Sequence, residues 1–508
     1  MTNTTSQEKI GHLIKKMRKR QGLTQKDFAE ILGTSQSAVA RIESGQQNLT
    51  TAKLDTISQK LGRQVISVSD ESLDFRINGP TQLSGTIATN TSKNGSVALL
   101  CAALVNHKTT TLSGIAQIEA VYRIISVLES IGVEVVWSDE DTVEVTPPDT
   151  FDLENMDEET ARKTRSVLML IGPLAHRRDE FTIPHAGGCK MGNRTTSAHD
   201  HVFASFGINI STETDYYEID ASEFQAPTEE IVMYEASDTA TINALVCAAL
   251  CDSTVEISFS TPNYQVQDVC FLLEKYGLQI DGIGTHQLSI TGKNEIGVRT
   301  EHENSEDPIE SMMFISACLT TNSQLTIKRC PIDFLKLELL KLQEMGAQIT
   351  KTDTYKSANG RTDLVDITVY PSELKALDVK LHALPYPGIN ADNLPFFVPI
   401  GTQAQGTTNI LDWMWENRAI YFTELNRLGA DITLADPHRV FIDGPTDLKP
   451  AQIVCPPALR PSMIILIAML ASSGQSVLRN VESINRGYED ISKRLNSIGA
   501  DIEIISTI

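Results

Sequence analysis

Leu425-Asn426-Arg427-Leu428-Gly429 is one of six copies of a short pattern, in which Leu or Phe stands three residues before a hydrophobic-Gly pair and Ile or Val follows soon after. The glycines are spaced 75, 70, 69, 83 and 70 residues apart, at Gly132, Gly207, Gly277, Gly346, Gly429 and Gly499. Each copy predicts an amphipathic helix that ends at a left-handed glycine and leads directly into a strand. Units of this length can hold several strands and two helices, so the sequence predicts six related α/β units.

The bulk composition is that of a globular protein with a sizeable core. A chain of 508 residues is long enough for about three domains. Hydrophobic residues make up 41% of the chain and no apolar run is long enough to span a bilayer. The amino terminus is polar, unlike a signal peptide, and the eight cysteines have no framework spacing. These features favour a cytoplasmic protein with reduced thiols and no membrane partner.

Charge is distributed unevenly along the chain. Residues 1–70 contain eleven Lys or Arg and six Asp or Glu, a surplus of five positive charges. Because the whole chain carries a formal charge of −22, the remainder carries −27. A small basic module can meet a phosphate backbone, whereas an acidic body of this size is not expected to bind nucleic acid broadly.

Three short helices are predicted in the first seventy residues. The first ends over residues 15–20, and the second begins after Thr24, which can cap it. Gly33 ends the second helix, and residues 34–45 supply the third.

This pattern, over residues 8–68, resembles the helix-turn-helix domain of the Cro and phage repressor type, whose third helix lies in the major groove. Val39 and Ile42 would face inward on that helix. By the resemblance, the candidate contacts to base edges and phosphates are Gln36, Ser37, Ala38 and Arg41. The alternative is a bundle kept only for dimerisation. A homodimer would be needed to reach two half-sites on DNA.

From Phe75 onward, short apolar strands alternate with Ala- and Leu-rich helices, for example at residues 96–104, 241–250 and 463–471. The motifs of this body are Phe75-Arg76-Ile77-Asn78-Gly79-Pro80, Thr91-Ser92-Lys93-Asn94-Gly95, Gly187-Gly188-Cys189-Lys190-Met191-Gly192-Asn193-Arg194, Trp415-Glu416-Asn417-Arg418 and Asn485-Arg486-Gly487-Tyr488-Glu489. Their order and spacing resemble the UDP-N-acetylglucosamine enolpyruvyl transferases, a family of peptidoglycan synthesis. The Gly-Gly-Cys and Glu-Asn-Arg segments favour this family over its shikimate-pathway relative.

The resemblance implies a two-lobed inside-out α/β barrel of six βαβαββ units, preceded by the small all-α helix-turn-helix domain. In that family the chain crosses between the lobes twice, which maps here to Ser92/Lys93 and Glu306/Asp307. The expected domains are residues 1–70 for the helix-turn-helix, 71–92 with 307–508 for lobe one, and 93–306 for lobe two. The active site would lie in the cleft between the lobes.

The resemblance also implies a set of cations in this cleft. Phosphoenolpyruvate, the family's donor substrate, carries a phosphate and a carboxylate, and arginine forks suit both groups. The family's phosphoenolpyruvate-binding positions are Lys93, Arg194, Arg460 and Arg486 in this chain, with Arg165 and Arg418 as further cations lining the cleft. The alternative is a set of ordinary surface cations, but the presence of all six favours a binding role.

Acid–base chemistry is expected from two further residues. The family's reaction protonates the methylene carbon of phosphoenolpyruvate, adds an acceptor hydroxyl to the adjacent carbon and eliminates phosphate. By the resemblance, Cys189 donates the proton from its glycine-flanked loop and acts in product release, and Asp392 is the general base. The alternatives are an incidental loop thiol and a turn-capping aspartate.

Two positions complete the expected site. Asn94 would hydrogen-bond the acceptor or the intermediate. Asp307, at the second crossing, would act in closure more than in chemistry. Neither a metal ion nor a cofactor is expected.

The acceptor half of the family pattern is altered. Family members follow the arginine of the cysteine loop with Pro, an aliphatic residue, Asp, an aliphatic residue and His, whereas residues 195–199 keep only His199. A family lysine that could meet a diphosphate is replaced by Glu235, and Asp238 adds a second carboxylate nearby. A family pair of glutamates is replaced by Asn263 and Gln265. The acceptor is therefore expected to be UDP-N-acetylglucosamine or a related nucleotide or sugar.

Two functions remain open from the sequence. The first is an enzyme that transfers the enolpyruvyl group, with the basic module adding transcriptional control. The second is a regulator, in which a retired transferase body binds a cell-wall metabolite and sets the DNA affinity of the helix-turn-helix. Retention of Cys189 and Asp392 favours the enzyme, because a sensor has little use for a proton donor.

Overall fold

The computed structural model describes residues 11, 14–15, 18, 23–45, 47, 57, 73–187 and 195–506. The chain forms two compact units. The first comprises residues 1–72 with 136–140 and 506–508, and the second comprises residues 73–135 and 141–505.

The amino-terminal unit contains the helices Gln25–Ile31 and Gln36–Glu43. Thr24 caps the first of these in a reciprocal capping box with Asp27, and Gly33 follows the helix with a positive φ of 62°. The predicted cap and the predicted break are therefore confirmed. Of the predicted first helix, residues 16, 17, 19 and 20 lie outside the described residues.

A small apolar core holds these two helices together. Val39 and Ile42 face inward, as predicted, and pack with Phe28. Arg18 forms a buried ion pair with Glu43, whose carboxylate also accepts a hydrogen bond from Gln25 at 2.7 Å. Burial acts to raise the pKa of Glu43, but the bonds from Arg18 and Gln25 outweigh it and lower the pKa. This network fixes the end of the helix Gln36–Glu43 within its unit.

The described residues of the body form six sheets. Three of these draw on strands from its carboxyl-terminal half, and two of the three also include one of the first two strands of the body, Leu73–Gly79 or Thr86–Ala88. In spatial order, one runs Gln452–Val454, Gly474–Arg479, Leu73–Gly79, Ile502–Ser506; the second Gln348–Lys351, Asp363–Tyr370, Leu325–Pro331, Thr86–Ala88; and the third Leu381–His382, Gly406–Leu411, Arg439–Gly444, Asp431–Asp436. The short strand Tyr355–Lys356 also pairs with Asp363–Tyr370. Long-range pairing thus joins the start of the body to its end.

The other three sheets draw their strands from the intervening part of the chain. In spatial order, one runs Thr300–Glu303, Thr110–Ser113, Val143–Thr146, Glu134–Trp137; the second Glu180–Pro184, Tyr216–Asp220, Asn209–Thr212; and the third Gln279–Asp281, Gln287–Thr291, Thr254–Ser258, Ile231–Val232. Strands from 73–88 and 325–506 therefore never share a sheet with strands from 110–303 among the described residues.

The six glycines of the repeated pattern all have positive φ angles, between 75° and 106°. Each follows a helix, and the strand that begins two or three residues later lies at one edge of its sheet. The left-handed conformation reverses the chain at the helix end and places the next strand at that edge. The predicted helix–glycine–strand pattern is confirmed in all six copies.

Four long helices are buried on almost every side, including the three segments predicted as helices, and they lie at Lys93–Ala102, Asp238–Ala249, Pro308–Thr320 and Leu459–Ala471. A helix that is apolar all round belongs in a protein interior, which explains why the sheets surround the helices in this fold. Further helices of the body are Glu119–Ser130, Glu158–Ala161, Ile171–Ala175, Ser197–Ser205, Tyr264–Lys275, Lys336–Glu344, Phe397–Gly401, Glu482–Asn485 and Ile491–Asn496. Short 3-10 helices lie at Ala103–Val105, Leu153–Asn155, Arg165–Leu170, Ile332–Phe334, Leu394–Phe396 and Ala419–Leu428.

The two predicted lobe crossings lie side by side. Thr91 and Glu306 form an antiparallel bridge, the Ser92 amide donates to the Ser305 carbonyl at 2.7 Å, and the Asp307 amide donates to the Asn90 carbonyl at 2.9 Å. The exact lobe boundaries stay a prediction.

Across the described ranges, no helix combines the length and the apolar character needed to cross a membrane.

Two of the repeat glycines allow a direct test of these geometries. An added Cβ at Gly207 would lie 2.3 Å from the Glu223 carbonyl oxygen, whereas at Gly132 the nearest atom, Pro148 Cγ, lies 3.6 Å away. We expect Gly132→Ala to lower the free energy of unfolding by about 1–2 kcal/mol, because only the left-handed backbone is strained. Gly207→Ala should cost about 2 kcal/mol more, because its neighbour must also shift. Urea titrations of both variants measure the difference, and equal losses would contradict it.

Candidate active site

The helix Lys93–Ala102 begins at the first crossing and presents Lys93 and Asn94 in its first turn. Ser92 caps it by accepting a hydrogen bond from the Gly95 amide at 3.0 Å. Glycine is required at position 95 because a Cβ there would lie 2.3 Å from Asn304 Oδ1. Asn304 in turn donates to the Ser92 carbonyl at 2.8 Å, which ties the helix start to the second crossing. Lys93 and Asn94 are both partly exposed.

The carboxylate of Asp392 lies between two arginines. Its Oδ2 is 3.1 Å from Arg460 Nη2, and its Oδ1 is 3.5 Å from Arg418 Nη1. Burial acts to raise the pKa of Asp392, but Arg460, Arg418 and Lys93 together outweigh it and hold the pKa below its usual value. The carboxylate is therefore ionised at neutral pH and can accept a proton. Lys93, Arg418, Arg460 and Asp392, which the sequence placed together, meet here.

Arg418 departs from its expected position lining the cleft. Its side chain is fully buried and bonds both oxygens of the buried Asp412, with Nε to Oδ2 at 2.5 Å and Nη2 to Oδ1 at 2.8 Å. It also donates to the Ala391 carbonyl at 2.6 Å. With no exposed surface, Arg418 does not line the cleft in this structure, and its substrate-binding role stays a prediction. Its contacts instead hold Asp392 in position.

Arg460 stands at the start of the helix Leu459–Ala471 and is also largely buried. Its Nη1 donates to the Tyr488 hydroxyl at 2.6 Å while Nη2 bonds Asp392. Tyr488 belongs to the same motif as Arg486, which is partly exposed just beyond the short helix Glu482–Asn485. The contact between Arg460 and Tyr488 therefore brings the carboxyl-terminal motif to the Asp392 site.

Asp307 caps the helix Pro308–Thr320, and its Oδ1 accepts a hydrogen bond from the Ile309 amide at 2.8 Å. Burial raises the pKa of Asp307 to about 6, despite the opposing effect of Arg460. The capping of this helix is by itself a sufficient reason for an aspartate at position 307, whether or not its side chain contacts a substrate.

Arg165 lies on the other side of the predicted cleft, at the start of the 3-10 helix Arg165–Leu170. Its Nη2 donates to the Thr195 carbonyl at 2.7 Å. Burial lowers its pKa, while the nearby Tyr217 and Glu235 act in the opposite direction. Cys189 and Arg194, with the rest of residues 188–194, lie outside the described residues.

The altered acceptor segments meet around Asp238, at the first turn of the helix Asp238–Ala249. Its Oδ2 accepts hydrogen bonds from Asn263 Nδ2 at 2.9 Å and from Gln265 Nε2 at 2.8 Å. Burial raises the pKa of Asp238, and the charge of Asp392 adds to the effect. The Asp238 carboxylate therefore lies within electrostatic range of the Asp392 carboxylate. Glu235 is exposed and within electrostatic range of Arg165.

His199, the one residue retained from the family's nucleotide segment, is buried. Asn243 Nδ2 donates to its Nδ1 at 2.8 Å, so the ring proton belongs on Nε2, which lies 3.2 Å from Thr239 Oγ1. Burial, with a contribution from Arg165, lowers the pKa of His199 to about 4. Through its hydrogen bonds to Thr239 and Asn243, the neutral imidazole stabilises the helix that begins at Asp238.

Three residues of this site were not anticipated from the sequence: Asp412, Tyr488 and Tyr264. Asp412 and Tyr488 lie in or beside recognised motifs, so their neighbourhood was the only signal. Tyr264 stands between Asn263 and Gln265, and its hydroxyl accepts a hydrogen bond from Asn94 Nδ2 at 3.3 Å.

Within the described ranges, no group of three or more His, Cys, Asp or Glu side chains is arranged to hold a metal ion.

Sequence comparisons identify both parts of the chain. The signature of the EPSP synthase (3-phosphoshikimate 1-carboxyvinyltransferase) family matches residues 77–495, and a helix-turn-helix signature matches residues 14–66. A UDP-N-acetylglucosamine 1-carboxyvinyltransferase from Treponema denticola is 30% identical over 435 residues, covering 85% of this chain and 99% of the relative. A protein of the same name from Bradyrhizobium diazoefficiens is 28% identical over 436 residues, covering 85% of this chain and 98% of the relative.

Solved structures show the same fold. The enolpyruvyl transferase NikO from Streptomyces tendae aligns with a TM-score of 0.74 at 21% identity, over 86% of this chain and all of that one. EPSP synthase from Acinetobacter baumannii aligns with a TM-score of 0.67 at 17% identity, over 85% of this chain and 99% of that one. The resemblance drawn from the motifs is thus confirmed, as is the mixed α/β fold. With the family signature spanning most of its length, the chain belongs to the EPSP synthase family of enolpyruvyl transferases and carries a helix-turn-helix segment ahead of the transferase body.

Proposed function

We propose that this protein transfers the enolpyruvyl group of phosphoenolpyruvate to a hydroxyl of UDP-N-acetylglucosamine or a related nucleotide or sugar, with release of phosphate. The observation that carries the proposal is the ionised Asp392 carboxylate, held between Arg460 and Arg418 beside Lys93. Because this carboxylate is charged and lies beside cations that the resemblance assigns to phosphoenolpyruvate, it can take a proton from an acceptor bound next to that substrate.

In the proposed reaction, the cations Lys93, Arg460 and Arg486 attract the phosphate and carboxylate of phosphoenolpyruvate. Cys189 gives a proton to the methylene carbon, and the acceptor oxygen bonds the adjacent carbon while Asp392 takes the hydroxyl proton. The tetrahedral adduct then returns a proton from the new methyl group to the Cys189 thiolate and expels phosphate, which takes up the proton held by Asp392. The products are an enolpyruvyl ether and inorganic phosphate, so atoms and charges balance.

The proposed acceptor subsite of this chain is less favourable for a diphosphate than the subsite expected from the family pattern. Asp238 stands at a helix amino terminus, where backbone amides would otherwise attract phosphate. Its bonds from Asn263 and Gln265 hold the carboxylate in place, so it cannot simply turn away. We propose that the acceptor is one that tolerates a carboxylate here, which makes a related nucleotide or sugar a strong competitor of UDP-N-acetylglucosamine.

A second function, DNA binding by the amino-terminal unit, is supported by the surface of the helix Gln36–Glu43. Gln36, Ser37 and Arg41 are exposed on this helix, whereas Val39 and Ile42 are buried. Ala38 is also buried, which leaves it little surface for a base contact and removes it from the proposed set. Gln36 and Arg41 are residue types that read base edges in the major groove.

The first experiment measures phosphate release from phosphoenolpyruvate with UDP-N-acetylglucosamine and a panel of related nucleotides and sugars. We expect release with at least one acceptor and a loss of about a hundredfold or more in both Asp392→Asn and Cys189→Ala, because each removes a proton-transfer group. The exposed Asp378 provides the control variant Asp378→Asn, which should retain full activity. Unchanged turnover in either active-site variant would remove that residue from the mechanism, and no release with any acceptor would favour the regulator instead.

Asp238→Asn tests the acceptor subsite. The amide oxygen can still accept from Asn263 and Gln265, but one negative charge is lost, so the KM for UDP-N-acetylglucosamine should fall about three- to tenfold. Asp252→Asn is the matched control, because Asp252 is exposed beyond the far end of the same helix. A KM that stays constant or rises in Asp238→Asn would show that this carboxylate does not oppose the diphosphate.

DNA binding is tested with Arg41→Ala and a duplex enriched from a random pool by the full-length protein. We expect the affinity for that duplex to fall about tenfold or more while phosphate release is unchanged, because Arg41 is exposed on the proposed reading helix. Arg76→Ala removes a partly exposed arginine of the body, which pairs with Glu503, and should leave DNA affinity unaltered. Equal losses in the two variants would indicate general charge attraction, and no enrichment of any duplex would contradict DNA binding.

A further inference from the structure

Tyr264 is a buried tyrosine whose hydroxyl reaches the predicted catalytic groups. It is the first residue of the helix Tyr264–Lys275 and is 2% exposed. Its oxygen lies 3.3 Å from Asn94 Nδ2, in the first turn of the helix Lys93–Ala102. The charges of Asp307 and Asp392 also act on this hydroxyl, so it lies among the groups assigned to acceptor binding and proton transfer.

We propose that Tyr264 is a positioning residue, whose hydroxyl binds the amide nitrogen of Asn94 and so turns the Asn94 carbonyl oxygen toward the reacting hydroxyl of the acceptor. This inference rests on the proposed enolpyruvyl transfer. It concerns a residue to which the motifs of the sequence assigned no role.

The hydrogen-bonding chemistry of asparagine supports this assignment. A carboxamide has one oxygen that accepts and one nitrogen that donates, and the two point in different directions. Because the nitrogen of Asn94 bonds Tyr264, its oxygen is left to accept a bond from the other side. Asn94 is partly exposed, so its side chain is accessible to a ligand. A carbonyl oxygen there can accept the hydroxyl proton of the acceptor and orient its lone pairs for attack.

The phenol is held in its neutral form. Burial raises the pKa of Tyr264 well above its usual value, and the carboxylates of Asp307 and Asp392 add to the effect. A neutral hydroxyl can accept the bond from Asn94 without placing another negative charge beside Asp392. That arrangement preserves the electrostatic balance on which the ionised Asp392 depends.

The ring of Tyr264 is fixed by aromatic packing. Phe334 meets it edge-on, with ring centroids 5.7 Å apart and planes at 74°. Phe334 also packs against Tyr386 at 5.1 Å, and Tyr386 stands six residues before Asp392 in the same loop. Tyrosine has few rotatable bonds, so these contacts hold its hydroxyl in one place. The same packing links the position of Tyr264 to the loop that carries Asp392.

Tyr276 offers a matched control on the same helix. It caps the carboxyl-terminal end, is 1% exposed, and its hydroxyl bonds Thr110 Oγ1 at 2.8 Å. Tyr264→Phe and Tyr276→Phe therefore each remove a hydrogen-bonded tyrosine hydroxyl from one end of the same helix. Only the first should change catalysis.

The test is a double-mutant cycle between Tyr264 and Asn94, with phosphate release measured against the first acceptor in the panel that supports turnover. Tyr264→Phe should lower kcat/KM for the acceptor about tenfold, equivalent to about 1.4 kcal/mol, and leave KM for phosphoenolpyruvate within about twofold. In the Asn94→Ala background the same substitution should have almost no effect, because Tyr264 acts through Asn94. Tyr276→Phe should leave both kinetic constants unchanged, and thermal unfolding compares the stability of the two tyrosine variants.

The outcomes separate this inference from the proposed function. A similar loss from Tyr264→Phe with and without Asn94 would mean that Tyr264 acts independently, and it would overturn the inference. Unchanged constants in Tyr264→Phe, with an active parent protein, would overturn it too and leave the proposed function intact. If the parent protein released no phosphate with any acceptor, the proposed function would fail and this inference would fall with it.

Discussion

The ion pairs around Asp392 are the interaction on which the candidate site depends. Arg418 is fully buried and committed on one side to Asp412, so its remaining contacts set the position of Asp392 and the Ala391 carbonyl. Arg460 fixes the other oxygen of Asp392 and also holds Tyr488. Burying these charges is costly unless every partner is present, and removing one partner would leave an uncompensated charge inside the protein. The network is therefore a single unit that fixes the position of the Asp392 carboxylate.

A second constraint acts at the two crossings of the chain. The paired segments around Thr91 and Glu306 bring the start of the helix Lys93–Ala102 next to the start of the helix Pro308–Thr320. Ser92 and Asp307 cap these two helices, so the residues at the crossing satisfy backbone groups that would otherwise be buried without partners. The caps place Lys93 and Asn94 at a helix amino terminus, where the local field favours an anionic substrate.

The two halves of the site differ in how closely they follow the family pattern. The half assigned to phosphoenolpyruvate keeps the cations expected from the resemblance. In the half assigned to the acceptor, several residues differ in charge from those expected at the same positions. Asp238 is a carboxylate that accepts hydrogen bonds from the amides of Asn263 and Gln265, at positions where the resemblance leads us to expect glutamates. These changes compensate one another, because a carboxylate at position 238 facing two glutamates would be strongly unfavourable.

The sequence by itself determined the six α/β units, the amino-terminal helices and the family, because these depend on local patterns of apolar residues, caps and glycines that neighbouring residues decide. Through the family resemblance, it also led us to expect Lys93, Asp392 and Arg460 in one site. Only the tertiary structure decided that Arg418 is buried behind Asp392 and that Tyr264 meets Asn94 across 170 residues of sequence. The physical reason is that burial and side-chain hydrogen bonds between distant elements arise only when helices and loops pack together, and no local pattern encodes which pairs will meet.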